Sequence, residues 1–557
     1  MRALLDAFPQ GRVILLLDNF ENLVDAEKLA IKDGEMSDAL SALLTAPQHA
    51  VKAILTTRIA PRDLAMVEPG RQHPLDLDDG LESPYAENVL REMDADGRVG
   101  LKNAPEPLLN KAREKTRGYP RALEALYAIL SVDRYTTLEE LLEIELPKEV
   151  VEKLVGEAFN RLDPTAQKVM QALAIYNRPV SPAAIDYLLQ PHLPSIDSAL
   201  VLNRLVNMHF ARREAGRYYL HPADREYAFG TIPVEELLTT KDTKVTKENP
   251  NKTLRSLRAL RFNTFTQHGL IERAADFFAQ ARKPRAEWKK LDDLAAQLAE
   301  FDLRCAAGDY DSAASVLLEI DFDYLLLWGH YRLMIDMHLH VKDKITDKTL
   351  LMGNLNGLGL ANQFIGNNKE SVIFYDQGLE VAHESKDRSW QGSILGNLGN
   401  TYVYLGDTRK AIECYEQALI ISREIGDQLL EGNQLGSMGT AYHYLGNIQK
   451  AIEYQKAALE IAQNIGDRKG ESNRLGNLGN RYSELGDDEK AIEYYEKCIF
   501  VKQEIGDRSG ESIVLGNSGN VWTDIGEYQK AKESYQRAIQ IADEISFSKL
   551  DFIQKYC

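Results

Sequence analysis

The sequence predicts a multidomain protein with a partial α/β domain at the N-terminus, a small mixed domain after it, and an all-α repeat superhelix at the C-terminus. The chain has 557 residues, whereas a single hydrophobic core rarely grows beyond ~250–300 residues. Two short apolar runs near the N-terminus are typical of buried parallel strands. In the C-terminal third, one motif returns at intervals of 40 residues, which indicates a repeat architecture.

The composition excludes several classes of protein. The formal net charge of -18 argues against nonspecific binding to nucleic acid or to an anionic membrane. The longest early apolar run, Val13 to Leu17, is too short to span a bilayer, and no later run is long enough. The four cysteines lie far apart without CxxC spacing, which argues against a disulfide framework or a zinc site: Cys305, Cys414, Cys498 and Cys557. We therefore expect a cytoplasmic protein without a membrane partner.

The repeated motif has a fixed position in each unit. It is LGNLGN at 395–400, LGSMGT at 435–440, LGNLGN at 475–480 and LGNSGN at 515–520, with a degenerate copy, LNGLGL, at 355–360. Each unit predicts two helices, the first of which runs from the LGN motif to Leu405. Gly406 is expected to end it in the left-handed conformation, Asp407 to cap the second helix, and Gly426 to end that helix.

The second helix of the unit has a buried face of small and aromatic residues. Ala411, Tyr415 and Ala418 fall on one side of it. Gly399 and Ala418 have little or no side chain, so the two helices of a unit can approach closely. One helix pair cannot bury its apolar stripe alone, but stacked pairs share a continuous core and form a superhelix with a concave groove.

This spacing resembles the long-repeat branch of the tetratricopeptide family, as in kinesin light chain, over residues 351–546. The resemblance implies that asparagines of the first helices line the groove and hold the backbone of an extended peptide. The matching residues are Asn397, Asn400, Asn477, Asn480, Asn517 and Asn520. Ser437 and Thr440 depart from the pattern, so the repeat that contains them is expected to hold a peptide less firmly. The alternative is that the asparagines cap turns or are solvated. The predicted partner is a protein or peptide.

In the N-terminal half, polar residues follow two apolar runs. Asp18 follows Val13–Leu17, and Arg58 comes shortly after Ala53 to Leu55. A helical stretch at about 38–44 lies between the runs, and this order predicts parallel strands. A carboxylate and a guanidinium at neighbouring strand ends suit a nucleoside triphosphate with magnesium. Each feature alone is also common in proteins that bind no nucleotide.

Further motifs follow in a characteristic order. LDNFENLVD contains Asp18, LTTR contains Arg58, and RGYPRALEAL spans 117–126. Residues 162–189 predict two helices and 196–208 a third, and 210–222 predict a hairpin that turns at Ala215-Gly216. Over residues 10–230 the chain resembles NB-ARC and related STAND signalling ATPases, in which a P-loop-NTPase-like domain precedes a winged-helix domain.

This resemblance implies roles for individual residues. Asp18 would bind magnesium, and Glu21 would polarise the attacking water. Arg58 would sense the γ-phosphate. Gly118 and Pro120 form the Gly-x-Pro motif, in which Pro120 packs on adenine, and His221 would hold the β-phosphate of ADP. The alternative for each residue is a purely structural role.

The phosphate-binding motif of these ATPases, GxxxxGK followed by Ser or Thr, does not occur in the 557 residues. It supplies the backbone N–H cradle and the lysine for the phosphates. We expect either a truncated product or an upstream polypeptide that completes the domain. We therefore expect ATP, ADP and magnesium to bind weakly to this chain, which would be at most a weak ATPase.

The predicted organisation has five parts. They are a truncated nucleotide-binding domain at 1–145, a winged-helix domain at 146–235, a polar linker at 236–256, irregular helices or degenerate repeats at 257–345, and repeats of 40 residues at 346–557. The segment LRCAAGDYDSAASVLLEI at 303–320 has the pattern of a degenerate repeat.

Three functions fit these patterns. The first is a STAND-type switch, in which the repeats sense a protein or peptide, ADP is exchanged for ATP, and the chain oligomerises. The second is an interaction scaffold with a vestigial ATPase. The third is a winged-helix transcription regulator. Residues 158–229 contain eight Lys or Arg against six Asp or Glu, and Arg212, Arg213 and Arg217 are their only basic cluster. This balance argues against DNA as a partner.

Overall fold

The computed structural model describes residues 13–17, 24–25, 30–31, 51–55, 80–133, 135–143, 150–234 and 264–556. The chain divides into two compact units, Met1–Arg161 and Leu162–Cys557. This division lies one helix beyond the predicted boundary at 145/146, because the helix Val150–Asn160 packs with the first unit. The predicted linker at 236–256 lies outside the described residues.

The first unit contains short strands and five described helices. The strands are β1 (Val13–Leu17), β2 (Val24–Asp25), β3 (Ala30–Ile31) and β4 (Val51–Leu55), and the helices are α1 (Tyr85–Met93), α2 (Glu106–Thr116), α3 (Pro120–Val132), α4 (Leu138–Glu143) and α5 (Val150–Asn160). β1 and β4 pair in parallel, with Val13 opposite Val51 and Leu17 opposite Leu55. The parallel pairing agrees with the order of the two apolar runs. The helix expected at 38–44 lies outside the described residues.

The second unit begins with three helices, a hairpin and a fourth helix. They are α6 (Pro164–Ile175), α7 (Pro182–Leu189), α8 (Ser198–Asn207), β5 (Arg212–Glu214), β6 (Arg217–Tyr219) and α9 (Pro222–Gly230). Ala215 and Gly216 both have positive φ, 46° and 78°, as a two-residue hairpin turn requires. Val180 pairs with Tyr218 and so ties the segment before α7 to the hairpin.

Four helices connect this part to the repeats. They are α10 (Gln267–Gln280), α11 (Ala295–Ala306), α12 (Tyr310–Ile320) and α13 (Tyr331–Lys342). Arg273 on α10 donates a hydrogen bond to the carbonyl of Tyr187 at 2.6 Å, and Arg178 forms an ion pair with Asp302 at 2.5 Å. The helical part that starts the unit therefore packs directly against the elements that precede the repeats.

The C-terminal part consists of five consecutive helix pairs. Their helices are α14 (Lys348–Phe364), α15 (Asn368–Ser385), α16 (Arg388–Tyr404), α17 (Thr408–Ile425), α18 (Gln428–Tyr444), α19 (Ile448–Ile465), α20 (Arg468–Glu484), α21 (Asp488–Glu504), α22 (Arg508–Asp524) and α23 (Tyr528–Tyr556). Gly406 and Gly426 adopt φ of 80° and 72°, and the Asp407 side chain accepts a hydrogen bond from the Lys410 N–H. The predicted ends and cap are confirmed.

One predicted boundary is wrong. The first helix of the unit begins at Arg388 and not at the LGN motif, because Asp387 caps it by accepting a hydrogen bond from the Trp390 N–H. The motif therefore lies in the middle of the helix, where its glycines serve packing. A Cβ added to Gly399 would lie 2.5 Å from the Tyr415 ring. The expected close approach of the two helices is confirmed, and Ala411, Tyr415 and Ala418 are all buried.

Candidate peptide-binding groove

The first helices of the pairs form the inner side of the array. These helices are α14, α16, α18, α20 and α22. Each contacts the neighbouring first helix as well as its own partner, whereas the second helices lie farther from one another. Asn397 on α16 donates a hydrogen bond to Asn356 Oδ1 on α14 at 2.8 Å, which joins two neighbouring first helices. Helices that lie closer together line the concave side of a curved stack.

One set of groove asparagines is held by tyrosines of the second helices. The hydroxyls of Tyr415, Tyr495 and Tyr535 donate to the amide oxygens of Asn400, Asn480 and Asn520 at 2.7, 2.7 and 2.6 Å. Each tyrosine lies against the glycine that precedes its asparagine. A side-chain amide has one oxygen acceptor and two N–H donors. With the oxygen engaged by a tyrosine, the amide presents its N–H₂ group as the donor for a ligand.

The other set lies one turn earlier on the same helices. Asn397 donates to Asn356, and Asn517 Nδ2 donates to Asn480 Oδ1 at 3.2 Å. Within the described part of the array, the Asn477 amide forms no hydrogen bond. All three side chains are half-buried. The structure thus brings Asn480 and Asn517 together, and it places the six predicted asparagines at two positions along the inner helices.

The third helix pair departs from the asparagine pattern at both residues of the asparagine–tyrosine hydrogen bond. Thr440 stands at the position of Asn400 and donates to the Gly436 carbonyl at 3.2 Å. Gln455 stands at the position of Tyr415 and donates to the same carbonyl at 2.9 Å. The change from asparagine to threonine therefore accompanies a change from tyrosine to glutamine, and this repeat has no amide to offer at that position.

A row of exposed side chains follows the amides by one turn, and the sequence analysis did not identify it. Phe364, Tyr404 and Tyr444 are 55%, 70% and 63% exposed at equivalent positions of α14, α16 and α18. Glu484 and Asp524 replace them on α20 and α22. The 40-residue interval between the aromatics was the signal that could have revealed them. We call the residues at the positions of Asn397, Asn400 and Tyr404 in all five helices the inner stripe.

The residues predicted to bind nucleotide fall into two groups. Asp18, Glu21 and Arg58 lie outside the described residues. Arg117 and Gly118 adopt left-handed φ of 54° and 67°. The Gly118 carbonyl accepts a hydrogen bond from the Leu81 N–H at 2.7 Å, and a Cβ on Gly118 would collide with the Leu81 backbone. The motif around Gly118 thus has a packing role of its own.

Pro120 and His221 each begin a helix. Pro120 is exposed at the first position of α3, where the Tyr119 side chain makes no capping hydrogen bond. His221 is the N-cap of α9, and its Nδ1 accepts a hydrogen bond from the Ala223 N–H at 3.3 Å. Pro120 belongs to the first compact unit and His221 to the second.

Three other features of the described residues concern metal ligands, membrane-spanning helices and basic clusters. No described group of three His, Cys, Asp or Glu residues is arranged to hold a metal ion. None of the helices in the described ranges is both long and apolar enough to cross a membrane. Arg212, Arg213 and Arg217 are exposed on the hairpin, with Arg213 over the ring of Tyr218 at 5.5 Å.

Comparison with known families defines the class of the C-terminal part. Residues 351–424 and 433–504 match one tetratricopeptide repeat family, and residues 514–544 match a second one. The C-terminal part of this chain is therefore an array of tetratricopeptide repeats. No curated protein matches the sequence.

Solved structures show distant likenesses. One is a STAND protein with a tetratricopeptide repeat sensor from Pyrococcus horikoshii, which is 18% identical, with 95% of this chain and 74% of that chain covered and a TM-score of 0.38. BtubC from P. vanneervenii is 23% identical, with 43% of this chain and 92% of that chain covered and a TM-score of 0.34. A Rap protein complexed with competence and sporulation factor is 15% identical, with 53% of this chain and 97% of that chain covered and a TM-score of 0.34. Likenesses at this level transfer no function to this chain.

Proposed function

We propose that the inner stripe of the repeat array binds an extended segment of another protein. The observation that carries this proposal is the pair of amide positions repeated along the inner helices, with the amide oxygens of Asn400, Asn480 and Asn520 engaged by tyrosines. Their N–H₂ groups are left to bind carbonyl groups. A peptide backbone supplies carbonyl groups whatever its sequence, so these donors would hold the chain while other side chains select it.

The spacing of the helices suits an extended ligand. Packed helices lie about 8–10 Å apart, and an extended chain advances about 3.3 Å per residue, so each repeat corresponds to about three ligand residues. Every third ligand side chain would then meet the same position of the next repeat. The row Phe364, Tyr404 and Tyr444 would receive apolar side chains of the ligand, since aromatic surfaces contribute most strongly to such contacts.

The test uses substitutions that the array itself tolerates. Thr440 stands naturally at the position of Asn400, so the variant Asn400→Thr, Asn480→Thr, Asn520→Thr should fold, and it lacks the three amides that carry the proposal. A peptide selected on the full chain from a display library of random dodecapeptides is titrated against this variant by calorimetry. Loss of three hydrogen bonds of about 1 kcal/mol each, or about 3 kcal/mol together, predicts roughly hundred-fold weaker binding.

The control for this experiment is Asn464→Thr, because Asn464 is exposed near the end of a second helix. It should leave the affinity unchanged. Equal affinity of the triple variant and the unaltered chain would exclude the inner stripe as the binding surface.

We further propose that the part before the repeats is a nucleotide-dependent switch of the STAND type, in which the three helices and hairpin of residues 162–219 form the winged-helix domain. The parallel β1–β4 pair and the exposed Pro120 at the uncapped start of α3 support this proposal. Asp18 would hold magnesium, Glu21 would position water, Arg58 would contact the γ-phosphate, and His221 the β-phosphate.

Calorimetric titration of the chain with ADP and ATP in the presence of magnesium tests this second proposal, with Arg58→Ala as the matched variant. Heat that falls for ATP and persists for ADP in Arg58→Ala would support the assignment of Arg58 to the γ-phosphate. Absence of heat with either nucleotide at millimolar concentration would contradict a switch in this chain and leave the repeats as its functional part.

A further inference from the structure

The fourth inner helix, α20, differs from its neighbours at two positions. Arg474 stands where the other first helices have Asn354, Ile394, Gln434 and Val514, and Arg481 stands where they have Ala361, Thr401, Ala441 and Val521. These positions are neutral in every other pair. They are also seven residues apart, which is two helical turns, so both arginines project from the same side of α20.

Arg474 reaches across to the neighbouring inner helix. Its guanidinium lies directly over Gly436 of α18, in space that any side chain at that position would fill. Arg474 Nη2 donates to Asn433 Oδ1 at 3.2 Å, and this is its one hydrogen bond to the described residues. Asn433 is exposed on α18. The guanidinium has five N–H donors, and a described residue accepts a hydrogen bond from only one of its nitrogens.

Arg481 is more deeply placed and only partly neutralised. Its side chain is 13% exposed, and its Nη2 lies 3.1 Å from Glu484 Oε1. Its Nη1 is buried and has no hydrogen-bond partner in the described part of the chain. His443 on α18 lies 3.2 Å from the other oxygen of Glu484. Glu484 thus lies between Arg481 and His443, whose Nδ1 forms no hydrogen bond in the described part of the chain, while a guanidinium nitrogen of Arg481 has no acceptor.

The charge of α20 contrasts with that of the whole chain. The helix contains four basic residues and two acidic ones: Arg468, Lys469, Arg474, Arg481, Glu471 and Glu484. The chain as a whole has a net charge of -18. Burying a guanidinium with too few acceptors destabilises a fold, and burial lowers the pKa of the Arg474 side chain. An acceptor supplied by a ligand would remove this cost.

We propose that Arg474 and Arg481 form a subsite of the groove that binds an acidic side chain of the ligand. This inference rests on the proposed peptide-binding function. A carboxylate of the ligand would accept two hydrogen bonds from the Arg474 guanidinium, the geometry that this group favours, and Arg481 would add positive potential beside it. Tyr444 lies one repeat earlier, so the ligand would have an apolar residue about three positions from its acidic residue.

The test compares peptides selected on the full chain from a display library of random dodecapeptides. The unaltered chain should select peptides with Asp or Glu at one fixed position, and replacement of that residue by Asn or Gln should weaken binding about ten-fold or more. Arg474→Gln should remove both the enrichment and the difference between the two peptides. This variant should fold, since Gln434 occupies the same place over Gly396 one repeat earlier.

Two further variants sharpen the outcome. Gln434→Arg should add a second acidic preference about three peptide residues from the first. Arg409→Gln removes the same charge from an exposed position of a second helix and should change nothing. Selected peptides without a fixed acidic position, or an acidic preference that survives Arg474→Gln, would overturn the subsite while the groove stands. Failure to select any peptide would instead contradict the proposed function itself.

Discussion

Tyr415 Oη donates a 2.7 Å hydrogen bond to Asn400 Oδ1, and this bond joins the two helices of one repeat beside the groove. The same bond occurs in the fourth and fifth pairs, through Tyr495 and Tyr535. Tyr415 is almost completely buried, so the hydrogen bond of its hydroxyl should stabilise the fold. The bond also orients the amide, and both effects can be measured in one variant.

Tyr415→Phe should lower the free energy of unfolding by about 1 kcal/mol, because one buried hydrogen bond is lost while the ring stays in place. Chemical denaturation monitored by circular dichroism measures this change. Peptide affinity should also fall, since the Asn400 amide is then free to rotate. Tyr404→Phe is the control for stability, because the Tyr404 side chain is 70% exposed. Equal destabilisation by both variants would contradict the structural role of the Tyr415 hydroxyl.

Two glycines of the inner helices should respond to alanine in opposite directions. A Cβ on Gly399 would lie 2.5 Å from the Tyr415 ring, whereas a Cβ on Gly516 meets no atom within 4 Å. Gly399→Ala should therefore destabilise the fold by about 1–3 kcal/mol through overpacking. Gly516→Ala should stabilise it by up to about 1 kcal/mol, since alanine favours a helix interior. The melting temperatures of the two variants test this prediction. A higher melting temperature for Gly399→Ala would contradict the close packing of Gly399 against the Tyr415 ring.

The repeat part of the fold was predictable because its periodicity fixes its structure. Gly406, Asp407 and Gly426 act in the structure as the pattern indicates, as left-handed ends and an N-cap. The start of the first helix was not predictable from the LGN motif, since the cap that sets it, Asp387, lies two turns earlier. The LGN motif is repeated because its glycines allow close packing between helices. Such packing is needed in the middle of a helix, so the motif does not mark where the helix begins.

The candidate site was only partly predictable. The asparagine positions could be taken from the repeat, but the tyrosine bonds that orient Asn400 and Asn480 join residues fifteen apart on different helices. The arginines of α20 were not identified because they break the period, and a search for repetition passes over exceptions. Their significance depends on Gly436 and Asn433 of the neighbouring helix, which no pattern within one repeat indicates.

Glu511 should interact favourably with two arginines at the end of the array. Its side chain is fully buried and accepts hydrogen bonds from Arg508 at 2.8 Å, Arg537 at 2.9 Å and Gln503 at 2.7 Å. The equivalent residue of the second repeat is Gln391, which accepts a hydrogen bond from one arginine, Arg388, at 2.8 Å and donates one to the Ala382 carbonyl at 3.0 Å. Glutamine therefore fits this place when a single arginine is present, and Glu511→Gln leaves two arginines beside a neutral group.

Glu511→Gln should lower the free energy of unfolding by about 2 kcal/mol, less than a fully buried pair would lose, because both arginines are about half exposed. Adding Arg537→Gln should recover part of the loss. A double-mutant cycle in urea measures the coupling between the two positions. Additive effects of the two substitutions would show that Arg537 does not interact with Glu511.

The described cysteines should be inert at mildly alkaline pH. Burial raises the pKa of Cys414 and Cys498 to about 11 and that of Cys305 to about 12, against about 8.5 for a free thiol. The thiolate is the reactive form. Alkylation with iodoacetamide at about pH 8.5, followed by mass spectrometry, should therefore modify these three residues in urea and leave them largely unmodified in the folded chain. Labelling of buried Cys498 at equal rates in both states would contradict its burial.

The raised pKa values of the buried cysteines also make the stability of the fold depend on pH. Because the folded state favours the protonated thiol, the unfolded chain loses its thiol protons at lower pH than the folded chain. The stabilising contribution is therefore complete below about pH 8.5 and is lost as the pH rises toward the folded pKa values near 11 and 12. The melting temperature should fall through this window, and replacing Cys498 with alanine should reduce the slope of that fall. A slope that is unchanged in the variant would show that Cys498 does not contribute to it.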